Sequence, residues 1–152
     1  MRPLVYIDTS VVGGCFDIEF KAASEALFAE FIAGLKIAMT SDLLLEELEP
    51  APEQIRTQID KIPDRFRQNA FLSEEILILA DAYVREAALP KGSLMDARHI
   101  ACATVYRADV LASWNFKHIV NLNRIRFINA TNLRLGYPIL EIRSPQEILE
   151  NV

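Results

Sequence analysis

Short apolar runs alternate along this chain with longer stretches in which apolar residues recur at helical spacing. Four runs rich in β-forming residues lie at 3–7, 36–40, 109–113 and 139–142. Because they are apolar along most of their length, they are typical of strands buried on both faces of a parallel sheet. Stretches with helical spacing lie between them, at 22–35, 42–49, 53–62, 73–87, 94–107 and 121–135.

Serine residues mark where several of these helices are expected to begin. Ser41, Ser73 and Ser93 each precede a stretch with helical spacing, and a serine hydroxyl commonly accepts a hydrogen bond from the first turn of a helix. Ser144, followed by proline, indicates a last short helix. The segment 121–135 also fits a strand, but we favour a helix because Gly136 suits the position just after a helix end. The polar segment 63–71 is expected to be irregular.

The alternation of strands and helices predicts a three-layer α/β/α sandwich around a central, mainly parallel sheet of four to five strands. The chain has 152 residues, of which 51% are hydrophobic, which is sufficient for a single domain over residues 1–152. Its longest apolar run, Ile76–Ala80, is far shorter than the roughly 20 residues of a membrane span. There is no signal-peptide pattern, and two cysteines are too few for a disulfide framework, so we expect a cytoplasmic protein without a membrane partner.

The charges are unevenly distributed along the chain. Residues 1–96 contain 9 Lys and Arg against 17 Asp and Glu, whereas residues 97–143 contain 7 against 2. The net charge of −5 argues mildly against broad electrostatic binding to nucleic acid. An acidic part beside a basic part fits a metal site next to a phosphate-binding surface, and chance explains it equally well.

Two acidic residues stand where a site is expected in such a fold. Asp8 follows the first strand directly, and ligands of open α/β sheets bind beyond the carboxyl ends of the strands. On a helix from Asp42, Glu47 lies about 70° from the centre of the apolar face, whereas Glu46 points to water. Glu47 can therefore reach a neighbouring element. The alternatives are a helix cap for Asp8 and a solvated acidic face for Glu47.

A third acid and an amide complete the candidate set. Asp96 lies on the packed side of its helix, on the same stripe as Ile100. Its alternative role is a capping box with Ser93. Ser113 and Asn115 follow the third strand, and Asn115 could equally be a helix cap. Each residue alone is a weak signal, but their joint placement at strand ends and on an inward-facing rim is unusual.

Three carboxylates and one neutral oxygen ligand suit Mg²⁺ or Mn²⁺. The two histidines and two cysteines lie at unrelated spacings and do not form a zinc pattern. A divalent metal held by carboxylates polarises a phosphoryl oxygen and lowers the pKa of a bound water, which supports phosphodiester hydrolysis. Without the metal, such a cluster would repel itself, so the site should be strained or partly protonated.

Four motifs occur in a recognisable order across most of the chain: YIDTSVVGG, SDLLLEELE, LMDARHIACAT and VLASWNFKHIVN. Together they resemble the PIN-domain family, in particular the VapC-type toxin ribonucleases, from about residue 4 to residue 148. The resemblance implies an endonuclease that cleaves single-stranded RNA with Mg²⁺ or Mn²⁺. It also implies a homodimer and an antitoxin protein as possible partners.

The resemblance assigns roles to individual residues. The acids of the family correspond to Asp8, Glu47 and Asp96, and the fourth family position, frequently Asp, corresponds to Asn115. It therefore implies that these four residues are catalytic and hold the metal, with Asp8 and Asp96 as direct ligands. Ser10 and Ser113 would support the acids through their hydroxyls. Because Asn115 carries no charge, a second metal would bind weakly.

The residues near these motifs suggest where the RNA phosphates would bind. Arg98, Lys117 and His118 are candidates for phosphate contacts, and a solvated surface role is the alternative for each. His99 is expected to face away from the stripe of Asp96 and to be structural.

Two other classes of protein are open at this point. Asp8-Thr9-Ser10 superficially resembles the loop of aspartic proteases, but Val11 stands where a glycine would help, and the chain is helical where that fold is all-β. The stronger alternative is a catalytically inactive PIN-like module that binds RNA or a partner protein. Asn115 and the negative net charge favour this alternative, and the intact set of three acids disfavours it.

Overall fold

A five-stranded parallel sheet forms the centre of the protein. The computed structural model describes residues 1–86 and 89–152; Ala87, which the sequence placed at the end of a helix, lies outside them. The sheet order is β3-β2-β1-β4-β5, and every neighbouring pair is parallel. Its strands are β1 (Leu4–Ile7), β2 (Ile37–Ser41), β3 (Arg67–Ala70), β4 (Val110–Ala112) and β5 (Glu141–Arg143).

Helices cover both faces of this sheet. Within the described ranges they are α1 (Thr9–Gly14), α2 (Lys21–Ile32), α3 (Asp42–Leu48), α4 (Glu53–Arg56), α5 (Glu74–Arg85), α6 (Leu94–Val105), α7 (Leu122–Arg134) and α8 (Pro145–Asn151). The predicted three-layer α/β/α sandwich is confirmed. The helix that we favoured over 121–135 is also confirmed, because α7 spans most of that segment.

The central strand β1 shows why the apolar runs are continuous. Tyr6 packs with α5, α6 and α7 on one face of the sheet, whereas Val5 and Ile7 pack with α1, α2, α3 and α8 on the other. Successive side chains of a strand point to opposite faces. All three of these residues are fully buried, so every position of the strand has to be apolar.

Two local predictions were wrong. The segment 63–71, expected to be irregular, contains β3, which pairs with β2 alone at the edge of the sheet. Its residues are mostly polar because an edge strand is held by backbone hydrogen bonds and is only partly covered. Ser93 makes no side-chain cap, because a 3₁₀ turn over Lys91–Ser93 leads into α6 instead. Ser41, Ser73 and Ser144 do cap their helices.

The parallel arrangement brings several polar residues to one edge of the sheet. Asp8 follows β1, Ser113 follows β4, and Ser41 ends β2. These three strands are neighbours, so their carboxyl ends lie side by side. No helix within the described ranges is both long and apolar enough to cross a membrane.

Gly14 in α1 is in tight contact with the neighbouring elements, which leads to a stability prediction. A Cβ atom at Gly14 would lie 2.5 Å from Ser24 Oγ and 2.8 Å from Trp114 Nε1. These two atoms are joined by a hydrogen bond of 2.9 Å, and Ser24 is fully buried. We expect Gly14→Ala to lower the free energy of unfolding by roughly 1–3 kcal/mol, the usual effect of overpacking, as measured by chemical denaturation.

Gly13 provides the matched control for this prediction. A Cβ atom there meets no heavy atom within 4 Å, and alanine is about 0.5–1 kcal/mol more favourable than glycine inside a helix. Gly13→Ala should therefore leave the protein as stable or slightly more stable. Equal destabilisation by both substitutions would show that the contact between Gly14 and Trp114 is unimportant.

Candidate active site

The four predicted metal ligands line one small cavity at the carboxyl edge of the sheet. The cavity has a volume of about 190 Å³. Its walls are formed by Asp8, Thr9, Ser10, Glu47, Asp96, His99 and Asn115. The structure thus brings together side chains that are more than 100 residues apart in the chain. Their catalytic and metal-binding roles stay predictions.

Asp8 is buried and held by three donors. Its Oδ1 accepts hydrogen bonds from Ser10 Oγ at 2.6 Å and from the backbone N–H of Val11 at 3.2 Å. Its Oδ2 accepts from Ser113 Oγ at 2.5 Å. The helix-cap alternative for Asp8 is therefore correct, since Asp8 caps α1. The same side chain also lines the cavity. Ser10 and Ser113 both contact Asp8, as expected of supporting hydroxyls.

Asp96 and Asn115 face each other across the cavity. Asn115 Nδ2 donates to Asp96 Oδ2 at 3.3 Å, and Asn115 Oδ1 accepts from the backbone N–H of His118 at 3.0 Å. The capping box between Ser93 and Asp96 is not formed. Asn115 caps a turn and not a helix: its side-chain Oδ1 closes the turn that follows β4, and the described residues 116–120 contain no helix. As a result, its amide nitrogen is the group presented to Asp96.

Glu47 begins a chain of hydrogen bonds that runs into the core. Its Oε1 accepts from Thr9 Oγ1 at 2.9 Å and contacts His99 Nε2. His99 Nδ1 lies 2.6 Å from the hydroxyl of Tyr6, which lies 2.7 Å from Ser41 Oγ. Tyr6 and His99 are buried. The carboxylate of Glu47 is therefore held in place by groups from β1, α1 and α6.

His99 corrects one expectation. It was predicted to face away from Asp96, but both residues line the same cavity. A residue three positions further along a helix lies on a neighbouring part of the same face, so the spacing of Asp96 and His99 could have revealed this. Thr9 and Tyr6 carried no comparable signal, because a polar residue after a strand and a tyrosine within one are ordinary.

Burial and mutual repulsion set the charges of the cavity. Burial raises the pKa of Asp8, although the charge of His99 and the hydrogen bonds from Ser10, Ser113 and Val11 lower it. Burial also raises the pKa of Asp96, and the charge of Asp8 raises it further. Burial also tends to raise the pKa of Glu47. Its hydrogen bonds with His99 and Thr9 and the charge of His99 outweigh burial, so the pKa of Glu47 is lowered. The first two shifts agree with a site that is strained without a cation.

These shifts predict how the stability of the metal-free protein depends on pH. A raised pKa in the folded state means that Asp8 and Asp96 add stability when protonated and lose that contribution as the pH rises through the folded pKa. Glu47 has a lowered pKa in the folded state. Its ionised form therefore stabilises the fold at a pH above its pKa in the unfolded chain, about 4.3, and this stabilisation is lost as the pH falls through the folded pKa. In EDTA we therefore expect a higher thermal midpoint near about pH 5 than near about pH 7.5.

Asp96→Asn is the control for this pH dependence. The amide cannot titrate, so the gain in thermal midpoint on acidification should become smaller than in the wild type. An identical pH dependence in both proteins, followed by scanning calorimetry in EDTA, would place the titration elsewhere in the molecule.

The donor set of the cavity fits a hard divalent cation in its chemistry. Carboxylate oxygens from Asp8 and Asp96 are ligands that Mg²⁺ and Mn²⁺ prefer, whereas Asn115 would contribute its Oδ1, which here accepts from the backbone N–H of His118. Within the part of the chain that the structure describes, no three His, Cys, Asp or Glu side chains converge closely enough to hold a metal. Glu47 is already engaged by Thr9 and His99. Asp8 is likewise engaged on both oxygens, by Ser10, Val11 and Ser113, so direct ligation by Asp8 and Asp96 stays a prediction.

The three candidates for phosphate contacts are not part of the cavity wall. Lys117 is exposed, whereas Arg98 and His118 are half-buried. His118 is close enough to Asp96 for its charge to lower the pKa of that carboxyl, against the larger effect of burial. Of the three, His118 is thus tied most closely to the carboxylates.

Comparisons with known proteins agree on the fold. No family model matches the chain, and no curated protein matches it in sequence. Among solved structures it is similar to Mycobacterium tuberculosis VapC20, a toxin that cleaves the sarcin–ricin loop. The TM-score is 0.54 at 15% identity over 70% of this chain and 86% of VapC20. It is also similar to VapBC2 from Rickettsia felis, solved with a promoter DNA fragment, with a TM-score of 0.59 at 14% identity over 93% of this chain and 98% of that one.

The fold is thus that of a PIN-like α/β/α sandwich. It is shared with the VapC-type toxins, to which the sequence motifs also pointed. The resemblance that the motifs indicated is confirmed at the level of the fold.

Proposed function

We propose that this protein is a metal-dependent endoribonuclease that hydrolyses phosphodiester bonds of single-stranded RNA. One observation carries the proposal: Asp8, Glu47, Asp96 and Asn115 line a single cavity at the carboxyl edge of the sheet. The similarity to VapC20, a toxin that cleaves the sarcin–ricin loop, supports the proposal. In this proposal residues 1–152 form one PIN-like domain that works in the cytoplasm.

Asp8 and Asp96 would hold Mg²⁺ or Mn²⁺ directly, and Glu47 and Asn115 would do so directly or through water. When bound, the cation would supply Lewis-acid stabilisation of the phosphate. The protein's own contribution is to orient these groups. Ser10 and Ser113 fix both oxygens of Asp8.

Glu47 is oriented from the opposite side of the cavity. Thr9 and His99 hold its Oε1, and Tyr6 fixes the ring of His99 through Nδ1. Glu47 would thus remain ionised and in a single position at neutral pH, where it can accept a proton from water. We propose that the RNA phosphates on either side of the hydrolysed bond are contacted by Arg98, Lys117 and His118.

The partners follow from the same class of protein. We propose that the protein is the toxin of a type II toxin–antitoxin pair, bound and inhibited by an antitoxin protein, and that it forms a homodimer. The similarity to a chain of VapBC2 supports an antitoxin as a partner of this protein. Single-stranded RNA is the proposed substrate.

A catalytically inactive PIN-like module that binds RNA or a protein is the second candidate. One observation favours it: Asn115 replaces a frequent family acid and turns its amide nitrogen, not its oxygen, towards Asp96. That hydrogen bond occupies Oδ2 of Asp96 in the absence of a cation. The neutral side chain lowers the charge available to a metal by one unit.

Cleavage of a mixed-sequence single-stranded RNA by the purified protein tests this proposal. The reaction is run with Mn²⁺ and with EDTA, on protein shown by mass spectrometry to carry no bound partner. We expect cleavage products with Mn²⁺ and none with EDTA. Intact RNA under both conditions would favour the inactive binding module.

A further inference from the structure

A second cavity adjoins the carboxylates. It has a volume of about 380 Å³, within the usual range of small-molecule sites of roughly 300–1,000 Å³. Ser10 and Asn115 belong to the walls of both cavities. Its remaining walls are formed by Gly13, Gly14, Asp17, Phe20 and Trp114. A molecule in this second cavity would lie directly beside the candidate active site.

Aromatic side chains form one wall of this cavity, and they are held rigidly. Trp114 stacks on Phe20 with ring centroids 4.3 Å apart and an angle of 19° between the planes. Its indole N–H donates to the buried Ser24 Oγ at 2.9 Å, and its backbone N–H donates to Ser10 Oγ at 2.9 Å. Phe116 meets the indole edge-on and is 51% exposed. Little ordering is therefore needed when a flat ligand binds.

The wall is open at Gly13, because glycine carries no side chain. A Cβ atom at Gly13 would meet no heavy atom within 4 Å. The charged group among the described wall residues is Asp17, whose Oδ1 accepts from the backbone N–H of Glu19 at 2.9 Å. A carboxylate accepts hydrogen bonds from ring or amino N–H groups and repels phosphate. The chemistry of the cavity therefore suits a nucleobase and not a phosphate.

We propose that this second cavity binds one unpaired RNA base next to the scissile phosphate. The inference rests on the proposed function, because the neighbouring carboxylates define where that phosphate lies. Single-stranded RNA is commonly recognised by stacking unpaired bases on aromatic side chains. Stacking on these rings requires a base whose face is free, as it is in a single strand.

Trp114 is the only tryptophan of the chain, and its fluorescence reports on the cavity. Protein in EDTA is titrated with a short single-stranded RNA, and with an oligomer of equal length whose positions are abasic. We expect saturable quenching by the RNA and binding at least about 10-fold weaker for the abasic oligomer, as base stacking typically contributes. Equal binding of both oligomers would overturn the proposal.

Two variants of Gly13 test the location. Gly13→Leu places a side chain in the cavity, whereas Gly13→Ala leaves most of it open and serves as the control. We expect Gly13→Leu to weaken RNA binding in EDTA by about 10-fold or more, with the alanine variant close to wild type. Equal affinity of the two variants would overturn the proposal. Phe20→Leu, which keeps apolar volume but removes a ring, tests the same site if Gly13→Leu fails to fold.

The binding assay in EDTA separates this inference from the proposed nuclease activity. Base-dependent quenching in a protein that never cleaves RNA would support the base site and contradict the nuclease. Metal-dependent cleavage with the same KM in Gly13→Leu and Gly13→Ala would support the nuclease and contradict the base site.

Discussion

Asp96→Asn is expected to reduce Mn²⁺-dependent RNA cleavage by roughly 1,000-fold while the protein remains folded. Asp96 is a proposed direct ligand, and a bound metal is worth several kcal/mol of transition-state stabilisation, about 1.4 kcal/mol for each factor of ten in rate. The substitution keeps the size of the side chain and removes its charge. Initial rates on a labelled single-stranded RNA measure the effect.

The stability of the same variant distinguishes a lost ligand from a damaged fold. In the metal-free protein Asp8 and Asp96 repel each other, so Asp96→Asn should unfold in EDTA at the same temperature as the wild type or higher. Glu46→Gln is the matched control, since it removes an exposed acid next to Glu47 and should leave cleavage unchanged. Full cleavage by Asp96→Asn would remove Asp96 from the site.

Asn115→Asp is expected to tighten Mn²⁺ binding by about 10-fold and to destabilise the metal-free protein. The new carboxylate adds a fourth negative charge to the cavity, which strengthens attraction to a divalent cation. It also replaces the hydrogen bond from Asn115 Nδ2 to Asp96 with repulsion between two carboxylates. Titration calorimetry with Mn²⁺ and thermal unfolding in EDTA measure the two effects.

Asn115→Ala is the control that distinguishes the effect of the added charge in Asn115→Asp from the effect of losing the amide group. Alanine removes the cap on the backbone N–H of His118, so it should destabilise the protein by about 0.5–2 kcal/mol without improving metal affinity. Aspartate can still accept that hydrogen bond. If aspartate and alanine at position 115 change Mn²⁺ affinity alike, the neutral side chain is not what limits metal binding.

The sheet could be predicted from sequence because each buried strand is a local pattern. Val5, Tyr6 and Ile7 are all apolar since both faces of the sheet are covered, and a continuous apolar run between helices indicates this arrangement. Strand β3 could not be predicted in this way. Its residues are largely polar, and it pairs with β2 as its one neighbouring strand. The buried Ala70 and the hydrogen bonds of Asn69 with Thr40 and Asp42 join it to distant segments, which leaves no apolar pattern in the strand itself.

The members of the candidate site could be predicted, but their contacts could not. Asp8 and Asn115 follow strands, and the angle of Glu47 on its helix places it at the rim of the buried face. The partners of these side chains come from distant segments: His99 is 52 residues from Glu47, and Ser113 is 105 residues from Asp8. His99 was expected to face away from Asp96 and does not, although a separation of three residues places the two on neighbouring parts of one helix face.

The sequence alone therefore determined the layered fold, the parallel sheet and some of the side chains that meet at its carboxyl edge, because these follow from local periodicity and from the geometry of parallel strands. Only the tertiary structure decided how those side chains are used. It tied Glu47 to His99 and Tyr6, turned the amide nitrogen of Asn115 towards Asp96, and opened a cavity beside Trp114. Such contacts depend on the packing of elements far apart in the chain, and no local pattern records them.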